Sequence, residues 1–85
     1  MPNKREAGKF LKSVRVKNGE SVEGVALRSG WCRTFIWRLE TGSRKITSEN
    51  MVELAMAYGL DPSELVRFEK IVLVDWLVYK KLVAD

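Results

Sequence analysis

The sequence has no histidine and only one cysteine, Cys32, among its 85 residues. A single cysteine cannot form a disulfide within the chain, which excludes a disulfide-stapled secreted scaffold. The lack of histidine excludes the usual Cys and His zinc sites and any Ser-His or Cys-His catalytic pair. No P-loop or dinucleotide-binding glycine motif is present. We therefore expect no enzymatic activity, no metal and no cofactor.

The sequence also has no long apolar run. Its longest uncharged stretch, residues 54–60, is far shorter than the roughly 20 apolar residues that a membrane span needs. The N-terminal residues are charged and show no signal peptide, so we expect a cytoplasmic protein without membrane contact. Lys and Arg number 15 against 11 Asp and Glu, a net charge of +4 that favours a polyanionic partner.

Apolar residues recur at helical spacing along most of the chain, which predicts an all-α fold. The first stripe stands among basic residues and is made of Ala7, Phe10, Leu11 and Val14. Asn18-Gly19 is a typical helix end, and Ser21 is a typical N-cap for the next helix. Further start signals are Thr47 or Ser48 and the run Asp61-Pro62-Ser63-Glu64, which has an acidic cap, Pro at the first helical position and Glu two positions later.

The C-terminal residues 66–85 are rich in Leu, Val, Ile and aromatic side chains. The β-branched run at 71–74 leaves a strand open, but the start signal at Asp61 favours a helix. Such a helix would be apolar on more than one side, which predicts burial against a second copy of the chain. The predicted dimer interface consists of Phe68, Val72, Trp76, Tyr79 and Val83.

Two short predicted helices joined by a turn at Gly30 describe a helix-turn-helix unit at residues 21–42. Ala26 is small enough for the point where two helices cross, and Gly30 tolerates positive φ in the turn. Trp31, Ile36 and Leu39 supply apolar anchors for the turn and the second helix. Arg33, Thr34 and Arg38 would then face a nucleic-acid groove.

Residues 21–42 resemble, without a gap, the XRE helix-turn-helix family of the phage-repressor and Cro type. The residues that carry the resemblance are Ser21-Val22-Glu23-Gly24-Val25-Ala26, Gly30-Trp31-Cys32 and Ile36-Trp37-Arg38-Leu39-Glu40-Thr41-Gly42. The likeness extends from the first helix to about Leu65. Val22 stands where the family usually has Gln, and Trp37 where it usually has a small or polar side chain.

The resemblance implies a lambda-repressor-like domain of five helices at residues 1–65, followed by a dimerisation segment at 66–85. It places four side chains against DNA bases: Arg33, Thr34, Trp37 and Arg38. It places three residues at phosphates: Ser21, Arg44 and Lys45. The alternative is a solvated helix face, with Trp37 packed on a neighbour or a partner and the loop charges serving solubility.

Three further residues have structural roles under the same resemblance. Arg15 and Glu40 stand at positions that form an ion pair between the first and third helices. Removing one partner of a buried pair costs about 3 to 5 kcal/mol. Cys32 takes a cap position usually held by Ser or Thr, where we expect a small buried thiol.

The function that follows is that of a sequence-specific transcription regulator of bacterial, phage or plasmid origin, acting at the nucleoid. We expect a dimer that represses from an inverted-repeat operator on double-stranded DNA, with activation also open. One alternative is a protein-interaction module that kept the scaffold and lost DNA affinity, which Val22, Trp37 and the apolar C-terminal segment would favour. Another is an antitoxin, and a regulatory protein partner is compatible with each.

Overall fold

A computed structural model of the chain describes residues 6–84, without the side chains of Ser48 and residues 78–84. The five helices are α1 (Glu6–Lys17), α2 (Val22–Ser29), α3 (Arg33–Thr41), α4 (Ser48–Tyr58) and α5 (Pro62–Ala84). No strand occurs between residues 6 and 84. The expected all-α, five-helix fold is therefore confirmed, and the C-terminal segment is the continuation of a helix.

The helix ends follow the sequence signals. Ser21 caps α2, because its Oγ accepts a hydrogen bond from the Gly24 amide at 3.0 Å. At α5 the caps are reciprocal: the Glu64 amide donates to Asp61 at 2.8 Å, and the Asp61 amide donates to Glu64 at 3.0 Å. These bonds satisfy amides that a helix start would otherwise leave unpaired.

One apolar core joins all five helices. Its most deeply buried side chains are Leu11, Val25, Ile36, Leu39, Leu54, Tyr58 and Phe68. Helix α1 lies between α3 and α5, and α2 rests on α3 and α4. The backbones of α1 and α3 approach so closely at Gly8 that a Cβ there would overlap the carbonyl oxygen of Leu39. Burial of the anchors Ile36 and Leu39 agrees with their predicted role.

Helix α5 folds back along α1, which corrects part of the interface prediction. Phe68 and Val72 are 0% and 3% exposed, and Phe68 stacks on Phe10 with ring centroids 5.9 Å apart. Both side chains thus belong to the core of their own chain and cannot face a second copy in this conformation. The predicted division at residue 65 falls inside α5. Phe68 and Val72 belong to the core although they follow this division.

Asp75 fixes the same helix at a second place. Its carboxylate accepts hydrogen bonds from the Ala7 amide at 3.0 Å and the Glu6 amide at 3.4 Å. Negative charge at a helix start interacts favourably with the helix dipole, so Asp75 acts as a tertiary cap of α1. The sequence did not indicate this contact, because the two partners are almost 70 residues apart.

The outer surface of α5 carries large apolar side chains that remain exposed. They are Leu65, Val66, Leu73, Val74, Trp76 and Leu77. Within residues 6–84, none of the helices has the length and apolar character that crossing a membrane would require.

Candidate nucleic-acid interface

The turn between α2 and α3 sets the direction of α3. Gly30 ends α2 at φ +84°, a conformation that side chains with a Cβ rarely adopt. Buried Ala26 lies one turn earlier in α2, and partly buried Trp31 packs against the core just after the turn. Cys32 begins α3 as its N-cap but makes no side-chain cap bond and is exposed. The expectation of a buried thiol was therefore wrong, because the cap position points the side chain to solvent.

Helix α3 separates its residues cleanly between core and solvent. Ile36, Leu39 and Glu40 are buried. The four residues predicted to meet DNA bases are all exposed: Arg33, Thr34, Trp37 and Arg38. Residues at this spacing share one face of a helix. The structure thus brings the predicted base-contacting side chains together on one surface, where Trp37 is 57% exposed.

A shallow groove of about 320 Å³ lies between the first turn of α2 and the exposed face of α3. It is lined by Val22, Glu23, Arg33, Thr34 and Trp37. An ion pair crosses it: Arg33 Nη1 donates to Glu23 Oε2 at 3.0 Å. No pattern in the sequence indicated this pair, since its partners lie on different helices and meet only through the angle of the turn.

The loop after α3 carries the predicted phosphate-contacting cations. Its backbone is tied to α3, because the Arg44 amide donates to the Arg38 carbonyl at 3.1 Å. The Arg44 guanidinium lies 4.8 Å from the centre of the Phe35 ring, a cation–π contact that restrains its direction. Lys45 is half-buried, and Ser21 is exposed at the start of α2.

Comparison with known proteins identifies this arrangement. A family model described as a helix-turn-helix domain matches residues 6–68, most of the described chain. The chain belongs to the XRE-type helix-turn-helix family. The family resemblance seen in the sequence is therefore confirmed. Members of this family are DNA-binding transcription regulators.

Two relatives of this helix-turn-helix protein are controller proteins. It is 29% identical over 65 residues to control protein C.BamHI of Bacillus amyloliquefaciens, covering 75% of this chain and 80% of that protein. Its fold is similar to the crystal structure of the restriction-modification controller protein C.AhdI of Aeromonas hydrophila, with a TM-score of 0.62 and 33% identity. The latter match covers 72% of this chain and 92% of that one.

A buried polar network fixes α3 of the helix-turn-helix domain on the side opposite its exposed face. Arg15 forms two hydrogen bonds with the Glu40 carboxylate, from Nε to Oε2 at 2.8 Å and from Nη2 to Oε1 at 3.0 Å. The Tyr58 hydroxyl donates to Glu40 Oε2 at 2.6 Å. The bond to Glu40 raises the pKa of Arg15. The structure thus places the predicted Arg15–Glu40 pair together and adds Tyr58 from α4.

Tyr58 is the member of this network that sequence reasoning missed. Its helical spacing indicated a core position, but no pattern in the sequence indicates where a buried hydroxyl finds its acceptor. Burial, followed by the hydrogen bond to Glu40, raises the pKa of the Tyr58 phenol far above its ordinary value. The phenol therefore stays neutral and donates a hydrogen bond to the Glu40 carboxylate of α3, which Arg15 of α1 also contacts.

Arg28 fixes the helix-turn-helix unit to α4. Its Nε donates to the carbonyl oxygen of Ala57 at 2.9 Å, and Nη1 pairs with Glu20 at 2.6 Å. The hydrogen bond from Arg28 lowers the pKa of Glu20. Carbonyls at the end of a helix lack partners within it, so Arg28 satisfies one of them at the end of α4. These bonds limit rotation of α2, and with it the orientation of the groove.

Proposed function

We propose that this chain is a sequence-specific transcription regulator that reads double-stranded DNA with α3. The observation that carries the proposal is the exposed row of Arg33, Thr34, Trp37 and Arg38 on a helix whose opposite side is fixed by Arg15–Glu40. A rigid helix with a polar outer face suits the major groove, which admits one α-helix. Membership of the helix-turn-helix family supports the proposal that this face of α3 reads DNA.

The side chains suit different parts of the DNA. Arg33 and Arg38 can each form two hydrogen bonds with guanine O6 and N7, a pairing that contributes about 1 to 3 kcal/mol of discrimination. Trp37 has no acceptor atoms and would make apolar contact with a thymine methyl or a sugar edge. Arg44, Lys45 and Ser21 would bind phosphates, which sets register and affinity but carries no sequence information.

We further propose that the protein binds DNA as a twofold dimer through the outer surface of α5. Trp76 and Leu77 are 43% and 58% exposed, and Leu73 and Val74 extend the apolar surface. Leu73 and Trp76 also line a groove of about 440 Å³ with Ile46 and Thr47, which directly precede α4. A twofold dimer would suit two DNA half-sites about one helical turn apart. The predicted interface side chains of Tyr79 and Val83 lie outside the described residues.

The relatives suggest which genes are regulated. Because the similar proteins are controllers, and one is a restriction-modification controller, we propose that this chain controls genes of a restriction-modification system. The operator would be an inverted repeat near their promoter, bound in the bacterial cytoplasm. Repression would then be steric, through a dimer that blocks polymerase.

Selection of bound duplexes from a random library, followed by mobility shifts, tests the proposal. We expect enrichment of an inverted repeat and a Kd at least about 1,000-fold lower than for scrambled DNA at the same salt concentration. No enrichment, with no shift of random DNA at low salt and micromolar protein, would favour the protein-interaction alternative instead. A promoter fusion carrying the selected site would then give the sign of regulation.

A further inference from the structure

Glu23 stands at the proposed DNA-binding surface, although it carries the same charge as DNA. It lies in the first turn of α2, and its carboxylate meets Arg33, the first residue of α3, at 3.0 Å. Both side chains are exposed, 66% for Glu23 and 70% for Arg33. An exposed pair of this kind adds little to folding stability, so stability does not explain its position.

The two helix starts explain why the pair forms. Helix N-termini carry partial positive charge, which favours an acidic residue and disfavours a cation. The first turn of α3 contains no acidic residue and begins with Arg33. Glu23 supplies negative charge in the first turn of α2, and its carboxylate holds the Arg33 guanidinium over the groove.

The pair leaves most of Arg33 available. The guanidinium has five N–H donors, and the hydrogen bond to Glu23 uses one of them, at Nη1. Donors thus remain for an acceptor on a base edge while the carboxylate restricts where they point. Holding a side chain in its binding geometry lowers the ordering cost that binding must overcome.

We infer that Glu23 is the specificity-determining residue that positions Arg33, an inference that rests on the proposed DNA-binding function. At an unrelated sequence no base edge accepts from the remaining Arg33 donors, so the repulsion between the Glu23 carboxylate and the phosphates is not offset and binding is weaker. At the correct site a guanine accepts from the remaining Arg33 donors, and the excluded water strengthens the Glu23–Arg33 attraction. Glu23 thus disfavours wrong sequences more than the right one, which is how repulsive elements produce specificity.

The variant Glu23→Gln tests the inference, because it keeps the size and an acceptor but removes the charge. The matched control is Glu53→Gln, the same change on α4 in a groove shared with Arg28 and Met56. Binding to the selected duplex and to a scrambled duplex is measured at equal salt, after thermal melts show that each variant is folded. For Glu23→Gln we expect tighter binding to scrambled DNA and a specificity ratio lowered by at least about threefold. Glu53→Gln should keep the ratio of the wild type.

A double variant shows whether Glu23 acts through Arg33. In an Arg33→Ala background, adding Glu23→Gln should leave the specificity ratio unchanged, since no guanidinium remains to be positioned. The inference would be overturned if Glu23→Gln kept the specificity ratio of the wild type. It would also be overturned if the substitution lowered that ratio equally with Arg33 present and with Ala at position 33. Either result would leave the proposed function intact. A wild-type protein that prefers no duplex would instead refute the proposed function and this role with it.

Discussion

At the scale of single residues, Glu40 shows how a charge can stabilise the recognition helix without meeting DNA. Among the charged side chains that the structure describes, Glu40 is the buried one, and three hydrogen bonds from Arg15 and Tyr58 surround its carboxylate. A buried carboxylate with this many donors is satisfied, whereas the guanidinium left without it would be an uncompensated charge. The network therefore predicts stability effects that are separate from effects on binding.

We expect Glu40→Gln to destabilise the free protein by about 3 kcal/mol, because Arg15 would lose its counter-ion in a buried place. For a domain of this size, that corresponds to a fall in Tm of more than about 10 °C. Thermal unfolding without DNA measures it. A variant that melts like the wild type and fails only in DNA binding would assign Glu40 to the interface instead.

Tyr58 predicts a specific loss of stability at alkaline pH. Because the folded protein holds the Tyr58 pKa above the unfolded value of about 10, the unfolded chain releases this proton first. The contribution is complete below pH 10 and is lost as pH rises from there toward the folded pKa. Between pH 10 and 11 the free energy of unfolding should therefore fall more steeply than in Tyr58→Phe, by up to about 1.4 kcal/mol per pH unit. Parallel pH profiles for the two proteins would contradict the assignment.

Arg33 and Lys45 should differ in what they contribute to DNA binding. Arg33→Ala should relax the preferred base at one position of each half-site, because it removes a donor pair from the groove. Lys45→Ala should weaken binding to all sequences and reduce the slope of log K against log salt by about one for each protomer bound. Affinities for single base-pair variants across a salt series measure both effects. If neither the slope nor the base preference changes, the division between base and phosphate contacts is wrong.

At the scale of helices, the closest approach of two elements depends on one glycine. Gly8→Ala should destabilise the fold by about 1 to 3 kcal/mol, since the new methyl would force α1 away from the Leu39 carbonyl. Gly24→Ala is the matched control, because a methyl there meets only the Ser21 Oγ at 3.4 Å. Chemical denaturation should show a lower midpoint for the first variant and no loss for the second. Equal stability of Gly8→Ala and the wild type would mean that the helices are less tightly apposed.

The helices themselves were largely predictable, since periodicity and caps are local. Ser21, Gly30 and Asp61 marked helix ends correctly because each signal acts through neighbours in the sequence. Contacts between helices were predictable only where the family resemblance supplied them, as for Arg15–Glu40. The bonds of Asp75 to the start of α1 and of Glu23 to Arg33 depend on how helices meet, which no local pattern records.

At the scale of the whole molecule, α5 has one side in the core and another side that exposes apolar residues. Its buried side, with Phe68 and Val72, completes the core of its own chain. Its outer side, with Trp76 and Leu77, leaves apolar area exposed at the end of the fold. Sequence periodicity indicated that the helix is apolar on several sides. Only the packing of α1 against it shows which of these residues are buried in the core of their own chain.

The proposed dimer predicts that Leu77→Glu yields a folded monomer. Leu77 is 58% exposed, so the single chain tolerates a charge at this position. In a twofold contact the new carboxylate would be buried without a group of opposite charge, which is unfavourable. Val52→Glu on α4 is the control, because Val52 is also 58% exposed. At micromolar concentration, sedimentation should give a dimer for the wild type and Val52→Glu and a monomer for Leu77→Glu. A wild-type monomer would refute dimerisation through α5.

The most direct test of the central claim is a titration of the isotope-labelled protein with its selected duplex, followed by amide NMR shifts. If α3 reads DNA, the largest changes should fall in residues 33–38 and 44–45 and on the Trp37 indole N–H. Amides near Val52 and Met56 on α4 should remain close to their free positions. Changes confined to α4 or α5, with α3 unaffected, would contradict the claim that α3 is the DNA-reading surface.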